Sequence, residues 1–271
     1  MTADVSVIVP TFHREMLVAD AIGSALEQRR VSVDVIVLDD SPSGSASSVV
    51  QAIGDSRVSY VKREVPSGGR PAVVRNEGFR LSRGRFVHFL DDDDVLEDGA
   101  LAALVDALDR RPSAGMAFGA VVPFGENEAI LRDEQRYFLE AARSAKGLVH
   151  PLHLAAQLLF RNTVLVNSAC LARRDAFEAV GGYDAEVTIN EDVELWLRVA
   201  RSTGFAYVDR PVVRYRTGAS SLMRDTLTAS DGAQPKFRGA YARMYEKYRR
   251  EYGSLEFYAL KLLARTLLNW V

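Results

Sequence analysis

Phe86-Val87-His88-Phe89-Leu90-Asp91-Asp92-Asp93-Asp94 is the stretch whose reading decides the fold. Its first five residues form a short apolar run that reads as a buried strand, and the strand stops at four consecutive aspartates. Upstream lie a helical pattern over Ala72 to Leu81 and a strand pattern over Val58 to Val61. Before them comes a second strand, Val33 to Leu38, which stops at Asp39-Asp40 and is followed by a Ser/Gly/Pro loop from Ser41 to Ser48. Earlier still, Leu17, Ala21, Ile22, Ala25 and Leu26 recur at helical spacing behind the β-branched run Val5 to Val9, which Pro10 ends. Downstream, Ala100 to Leu108 reads as a helix with Pro112 beyond it. Strands alternating with helices predict an α/β fold with a mainly parallel central sheet covered on both faces. Ligands of such sheets sit beyond the carboxyl ends of the strands, so Asp39 and the run Asp91 to Asp94 are expected to line one crevice.

After the apolar stretch Ala117 to Val122 the periodicity weakens, and Phe124 to Ala145 is expected to be an excursion or mobile flap. Strand and helix signals return over Thr163 to Ala172, Asp175 to Val180, Glu191 to Ser202 and Phe205 to Val208, with no internal repeat. From Gln234 the chain changes character. Tyr241, Tyr245, Tyr248 and Tyr252 recur at helical spacing among eight Lys/Arg and three Glu, a net of +5 that leaves −7 on the remainder. The expected organisation is a main α/β domain over 1–222 and a helical C-terminal arm over 223–271. The arm either packs back on its own domain or docks to a partner chain, as in a homo-oligomer, or to an anionic membrane surface.

Composition excludes several classes. The 271 residues are 48% hydrophobic and 26% charged, an ordinary globular balance. A net charge of −2 provides no basic field for nucleic acid, so no nucleic-acid partner is expected. The single cysteine, Cys170, excludes an intramolecular disulfide and a Cys-rich zinc site. With no secretory signal pattern at Met1 and no uninterrupted apolar run of about 18 residues, the expected location is cytoplasmic, peripheral at the membrane if the arm docks there.

Three constellations carry chemistry. Four adjacent aspartates cannot all be buried as anions without a compensating cation, which points to a divalent ion, Mg2+ or Mn2+, shared with substrate phosphates; the alternative is that they cap the next helix or face solvent. Ile189-Asn190-Glu191-Asp192-Val193 opens an amphipathic helix with a carboxylate pair just downstream of the Gly181-Gly182-Tyr183-Asp184 turn, although carboxylates at a helix start are also ordinary dipole partners. Finally, Gly68 to Gly78 places Arg70 and Arg75 near a helix start, suited to a diphosphate or to a salt bridge with the acidic neighbourhood.

In order and spacing, VSVIVPTFHR (5–14), VIVLDDSPSG (35–44), VVRNEGFRLSRGRF (73–86), VHFLDDDDVLEDGAL (87–101), GGYDAEVTINEDVELWLRVA (181–200) and PVVRYR (211–216) resemble the family 2 glycosyltransferases with the GT-A fold. The resemblance implies a Rossmann-like α/β domain that binds a nucleoside-diphosphate sugar, UDP-, GDP- or dTDP-linked, and an acceptor hydroxyl. It implies nucleotide-sugar contacts from Pro10, Thr11, Asp39, Arg75 and Asp91, with Asp39 accepting from a base NH and Arg75 near the diphosphate. Asp91 and Asp93 would be the ends of the DxD motif, with Asp93 on the metal and Asp91 at ribose or metal. Asp192 would be the general base, and Glu191 and Trp196 would contact the acceptor. Two departures stand out: His13 replaces a frequent Asn, and Thr217-Gly218-Ala219 lacks the His many members carry after PVVRYR.

The implied reaction is a single inverting displacement at the anomeric carbon, with a metal stabilising the leaving diphosphate. A sugar nucleotidyltransferase would be expected to carry a Gly-rich loop after the first strand, and Pro10 to Glu15 contains no glycine. A noncatalytic nucleotide-sugar or glycan-binding protein would not need the acidic run and the Glu191-Asp192 pair, both of which are present.

Overall fold

The computed structural model describes residues 3–161, 166–218 and 233–266, with side chains described from 239 onward in the last stretch. The order is β1 (Val5–Thr11), α1 (Glu15–Leu26), β2 (Val33–Asp39), α2 (Ser47–Ile53), β3 (Val58–Lys62), α3 (Pro71–Leu81), β4 (Phe86–Phe89), β5 (Val95–Leu96), α4 (Ala100–Arg110), β6 (Met116–Phe124), α5 (Glu128–Lys146) and α6 (Pro151–Phe160). A 3-10 turn at Asn167–Ala169 leads into β7 (Cys170–Arg173), α7 (Arg174–Ala179), α8 (Glu191–Thr203), β8 (Phe205–Arg216), α9 (Ala233–Tyr252) and α10 (Ser254–Thr266).

The sheet runs β3-β2-β1-β4-β7-β6-β8-β5. Strands β1 to β4 pair in parallel, β7 is antiparallel to both β4 and β6, β6 and β8 are parallel, and the short β5 closes antiparallel on β8. The strand period of two splits the apolar residues between the faces. Val5, Val7, Val9, Val33, Val35 and Val37 pack with α1, while Ile8, Ile36 and Leu38 pack on the α3 side with Ala72 and Val74. Both faces are covered, which is why these strands read as unbroken apolar runs. Helix α3 lies so close to the sheet that a Cβ on Gly78 would stand 2.5 Å from Ile8 Cγ2 and 3.1 Å from Leu38 Cδ2. That contact fixes the depth at which Arg75, one turn earlier, enters the crevice.

Three sequence expectations are corrected. The region read as a flap is largely the 19-residue helix α5, capped by the Asn127 side chain, which accepts from the Ala129 and Ile130 amides. Its buried face is narrow, Phe138, Ala141 and Ala145, and the surrounding charges dilute the pattern. Helix α6 follows, with Pro151 at its first turn and a nearly continuous apolar sequence that hides its period because most of the helix is buried. The loop from Ser41 is shorter than expected, since α2 begins at Ser47. Of the segment Thr163 to Ala172, residues 163–165 lie outside the described residues, and the strand within it starts at Cys170.

The C-terminal helices pack back on the body. Met244, Tyr248, Phe257, Leu260 and Ala264 are buried in the same core cluster as α6 and α8, and Lys247 reaches Asp184 at 2.7 Å and Glu194 at 2.6 Å. The expected boundary at 222/223 lies outside the described residues. No helix among the described residues is long and apolar enough to cross a membrane.

Candidate active site

The parallel register sets Thr11 opposite Asp39 at the carboxyl ends of β1 and β2. Asp39 is fully buried, and its carboxylate accepts four hydrogen bonds: Oδ1 from the Ser41 amide and hydroxyl, Oδ2 from the Ala46 amide and the Tyr60 hydroxyl. Burial alone would raise its pKa, but these donors outweigh it and hold the carboxyl below its ordinary value. The four bonds use the lone-pair sites of a carboxylate, so an additional NH has to share or displace one of them. Next to it, buried Asp40 accepts from Arg63 at 2.5 Å and from the Ser67 amide at 2.7 Å, which ties the β2 end to the loop before α3.

The acidic run turns sharply between β4 and β5, with the Asp94 amide donating to the Asp91 carbonyl at 3.1 Å. The four carboxylates are handled separately. Arg14 Nη1 bridges Asp92 Oδ1 at 3.1 Å and Asp93 Oδ2 at 2.8 Å. The Arg216 amide donates to Asp94 Oδ1, and its Nε donates to the Asp93 carbonyl. Arg75 holds Asp91 from the other side at 2.7 Å. Even so, burial and the neighbouring carboxylates push Asp92 up to about 6, and burial raises Asp93 and Asp94 as well. Asp94 Oδ2 is buried without a hydrogen-bond partner. The site therefore carries more negative charge than its own arginines compensate, an environment that suits a bound divalent cation.

Opposite the run stands the start of α8. Arg75, itself buried, joins the two sides by donating 2.7 Å hydrogen bonds to Asp91 Oδ1 and Glu191 Oε1, with its guanidinium 5.5 Å from the Tyr183 ring centroid. Asn190 enters the helix in a left-handed conformation, φ 60°, and the Val193 amide donates to Asp192 Oδ1 at 2.7 Å. Burial first, and the Glu191 charge second, push the Asp192 carboxyl up to about 7. A carboxyl that titrates near neutrality, placed in a cleft, has the property a general base needs.

Residues 6–181, well over half of the chain, match the family model of glycosyl transferase family 2. The chain belongs to that family. A Campylobacter jejuni relative, GalNAc(5)-diNAcBac-PP-undecaprenol beta-1,3-glucosyltransferase, is 42% identical over 102 residues, 37% of this chain and 33% of that protein. The succinoglycan biosynthesis protein ExoO of Rhizobium meliloti is 31% identical over 162 residues, 59% of this chain and 44% of that one. The matches thus span less than half the length of either relative. Among solved structures, the mannosyltransferase PcManGT of Pyrobaculum calidifontis, in complex with GDP-Man and Mn2+, overlaps with a TM-score of 0.61 at 18% identity, covering 100% of this chain and 81% of that one. Staphylococcus aureus TarS 1-349 in complex with UDP-GlcNAc gives 0.59 at 15% identity, covering 100% and 78%. These overlaps establish the GT-A-like fold expected from the sequence.

Within this family 2 fold, the structure brings Asp91, Asp93, Arg75, Glu191 and Asp192 together beyond the carboxyl end of β4. It does not bring Trp196 there. Trp196 is fully buried among the residues beneath the sheet, one helical turn below Asp192, so its expected acceptor contact is corrected to a core role. The periodicity that marks α8 as amphipathic put its largest apolar side chain on the inward face. Sequence reasoning also missed Arg14 and Arg216 as partners of the acidic run, although both lie in quoted motifs. Their signal was basic charge at the ends of β1 and β8, next to uncompensated acid. His13 adopts φ 52°, a conformation in which Asn and His are both enriched, which explains how His replaces the family's Asn. Thr217 Oγ1 donates to the Phe124 carbonyl; Ala219 lies outside the described residues.

Proposed function

We propose that this chain is an inverting glycosyltransferase that moves a sugar from a nucleoside-diphosphate sugar to an acceptor hydroxyl. The observation that carries the reading is Asp192, a half-buried carboxyl pushed up to about 7 at the start of α8, whose neighbour Glu191 the Arg75 bridge ties to Asp91 of the acidic run. Family membership supports the reaction class, and the names of curated relatives, which specify glucosyl transfer to polyprenyl-diphosphate-linked glycans, support a glycan acceptor.

Asp192 in its ionised form takes the proton of the attacking hydroxyl, a role that requires hydrogen-bond reach in the bound complex. Glu191, fixed by Arg75, orients that hydroxyl and keeps a second negative charge beside Asp192, which raises its basicity. Thr11 and Asp39, at the carboxyl ends of β1 and β2 with Pro10 one residue before Thr11, stand on the nucleoside side, where a base NH would displace or share one of the four donors to Asp39, and Arg75 holds Asp91 in place beside the diphosphate.

The residues fit a Mn2+ or Mg2+ ion. Asp93 and Asp91 offer carboxylate oxygens among acidic neighbours, where burial and like charge disfavour uncompensated anions. No three Asp, Glu, His or Cys side chains converge among the described residues, so Asp93 and Asp91 would share the ion with phosphate oxygens and water, as such ions commonly do. Bound there, it would supply Lewis-acid stabilisation of the departing diphosphate.

The test is a panel of UDP-, GDP- and dTDP-sugars screened by thermal shift with manganese, followed by transfer assays on the stabilising donor with glycan acceptors. Metal-dependent transfer with inverted anomeric configuration is expected. Binding without turnover on any acceptor would instead favour a noncatalytic binding protein, and nucleotidyl transfer the sugar nucleotidyltransferase reading.

A further inference from the structure

Helix α10 (Ser254–Thr266) is apolar on two opposite faces. At 100° per residue, Phe257, Leu260 and Ala264 share the face buried in the core. Leu255, Tyr258, Ala259 and Leu262 share another, a stripe about 100° wide, and it is exposed: Leu255 is 87%, Tyr258 57% and Leu262 62% accessible. A helix that covers a core on one side ordinarily carries charge on the other. Here the charge lies along one edge of the outer stripe, where the same geometry places Lys261 and Arg265, both exposed. Exposed Arg249 and Arg250 stand just before the Gly253 turn that leads into Leu255. Of the acidic residues of α9 and α10, Glu256 is committed to Arg201 at 2.9 Å, while Glu246 and Glu251 are exposed on α9, against four exposed cations at Arg249, Arg250, Lys261 and Arg265.

We propose that this outer face docks on an anionic lipid surface and seats the protein peripherally on a membrane. The pattern is that of an interfacial helix, an apolar stripe that enters the headgroup region with cations at its edge. Charge selects the occupant: a second copy in an antiparallel two-fold contact would set this basic edge against the same basic edge, whereas anionic headgroups complement it. The inner side of α10 is tied to α8 by Glu256, which accepts from Arg201 at 2.9 Å, so docking leaves α8 in its packed position.

Co-sedimentation of the full chain with phosphatidylcholine–phosphatidylglycerol vesicles, against phosphatidylcholine alone, tests this. Binding to the anionic vesicles that weakens with salt is expected. The pair Lys261→Glu and Arg265→Glu should lower the partition coefficient about 30-fold or more, given about 1 kcal/mol per basic residue near such a surface. The pair Leu255→Ser and Leu262→Ser should also release the protein without lowering its melting temperature, since both positions are exposed. Nucleoside-diphosphate binding in solution, unchanged in all variants, separates this inference from the proposed reaction. The inference is overturned if wild type stays in the supernatant with anionic vesicles. It is equally overturned if neither pair changes binding, or if light scattering shows a dimer that the leucine pair dissociates, which would make a second copy the occupant.

Discussion

Asn76 clasps the backbone of Tyr183: its Nδ2 donates to the Tyr183 carbonyl at 2.8 Å and its Oδ1 accepts from the Tyr183 amide at 2.9 Å. The pair joins α3, which carries Arg75, to the Gly181-Asp184 turn that leads into α8. Gly182, at φ 72°, has no room for a side chain there, because a Cβ would stand 2.7 Å from Asn76 Oδ1. The two halves of the cleft are thereby held in one register by a side chain that touches no reacting atom.

Asn76→Ala should therefore cost about 2 kcal/mol of stability for the two lost hydrogen bonds and reduce transfer more than it reduces donor affinity. Asn76→Asp should be worse in stability, because a carboxylate oxygen would face the Tyr183 carbonyl where an NH2 now donates. Chemical denaturation beside calorimetric donor titration measures both. Equal losses of transfer and donor affinity would show that the clasp does not act through α8.

Asp93→Asn should abolish the gain in nucleoside-diphosphate affinity that manganese provides, while the fold survives, because the side chain lies in the turn beyond the carboxyl end of β4 with Arg14 as its partner. Calorimetric titration of the diphosphate with and without manganese reads the difference. Undiminished metal-linked affinity in the variant would move the cation elsewhere in the run.

The C-terminal helices should prove part of the core. Phe257→Ala removes a buried ring that packs against Phe160 at 5.3 Å and Tyr245 at 5.4 Å between centroids. A loss of about 3–5 kcal/mol is expected, on the order of 10 °C in Tm for a chain of this size. Removal of residues 234–271 should expose the α6 and α8 surfaces and lower stability further. Circular dichroism melts of both variants decide it; a truncated chain that melts like the full one would make the arm separable.

The sheet edge was legible in the sequence because its signals are local: a strand pattern that stops at aspartate names both the element and its ligand end. Arg75 and the Glu191-Asp192 pair carry no such local signal; the family resemblance, not their spacing, is what singled them out. What was not legible depends on distance in the chain or on faces. Arg14 meets Asp93 across 79 positions and Arg216 meets Asp93 across 123, so neither pairing leaves a local trace. Helix α5 escaped because its buried face is built of two alanines and one phenylalanine, too little apolar volume to show above its charges. Trp196 misled because its position follows the helical period faithfully, while the inward face of α8 lies directly beneath the carboxylates.

The last prediction concerns Asp192, where stability and chemistry oppose one another. Its carboxyl titrates near 7 in the folded chain against 3.8 ordinarily, so the folded state binds the proton more tightly than the unfolded state. The contribution to stability is thus fully present below about pH 4 and is lost as pH rises through 7. At pH 8 the protein holds a buried anion at a cost in stability, and Asp192→Asn removes that cost. The variant should melt several degrees higher than wild type at pH 8 and by a smaller margin at pH 5, with donor affinity retained. Transfer should fall by the ~10²- to 10⁴-fold that a positioned base contributes, and the rise of wild-type kcat/KM with pH, centred near 7, should disappear. Glu191→Gln, which withdraws the neighbouring charge, should shift that rise to lower pH rather than abolish it. Differential scanning calorimetry at the two pH values and a pH–rate profile of each variant give the measurements. An Asp192→Asn enzyme that transfers sugar at nearly the original rate, or one that gains no stability at pH 8, would reduce Asp192 to a helix-start carboxylate and place the base elsewhere.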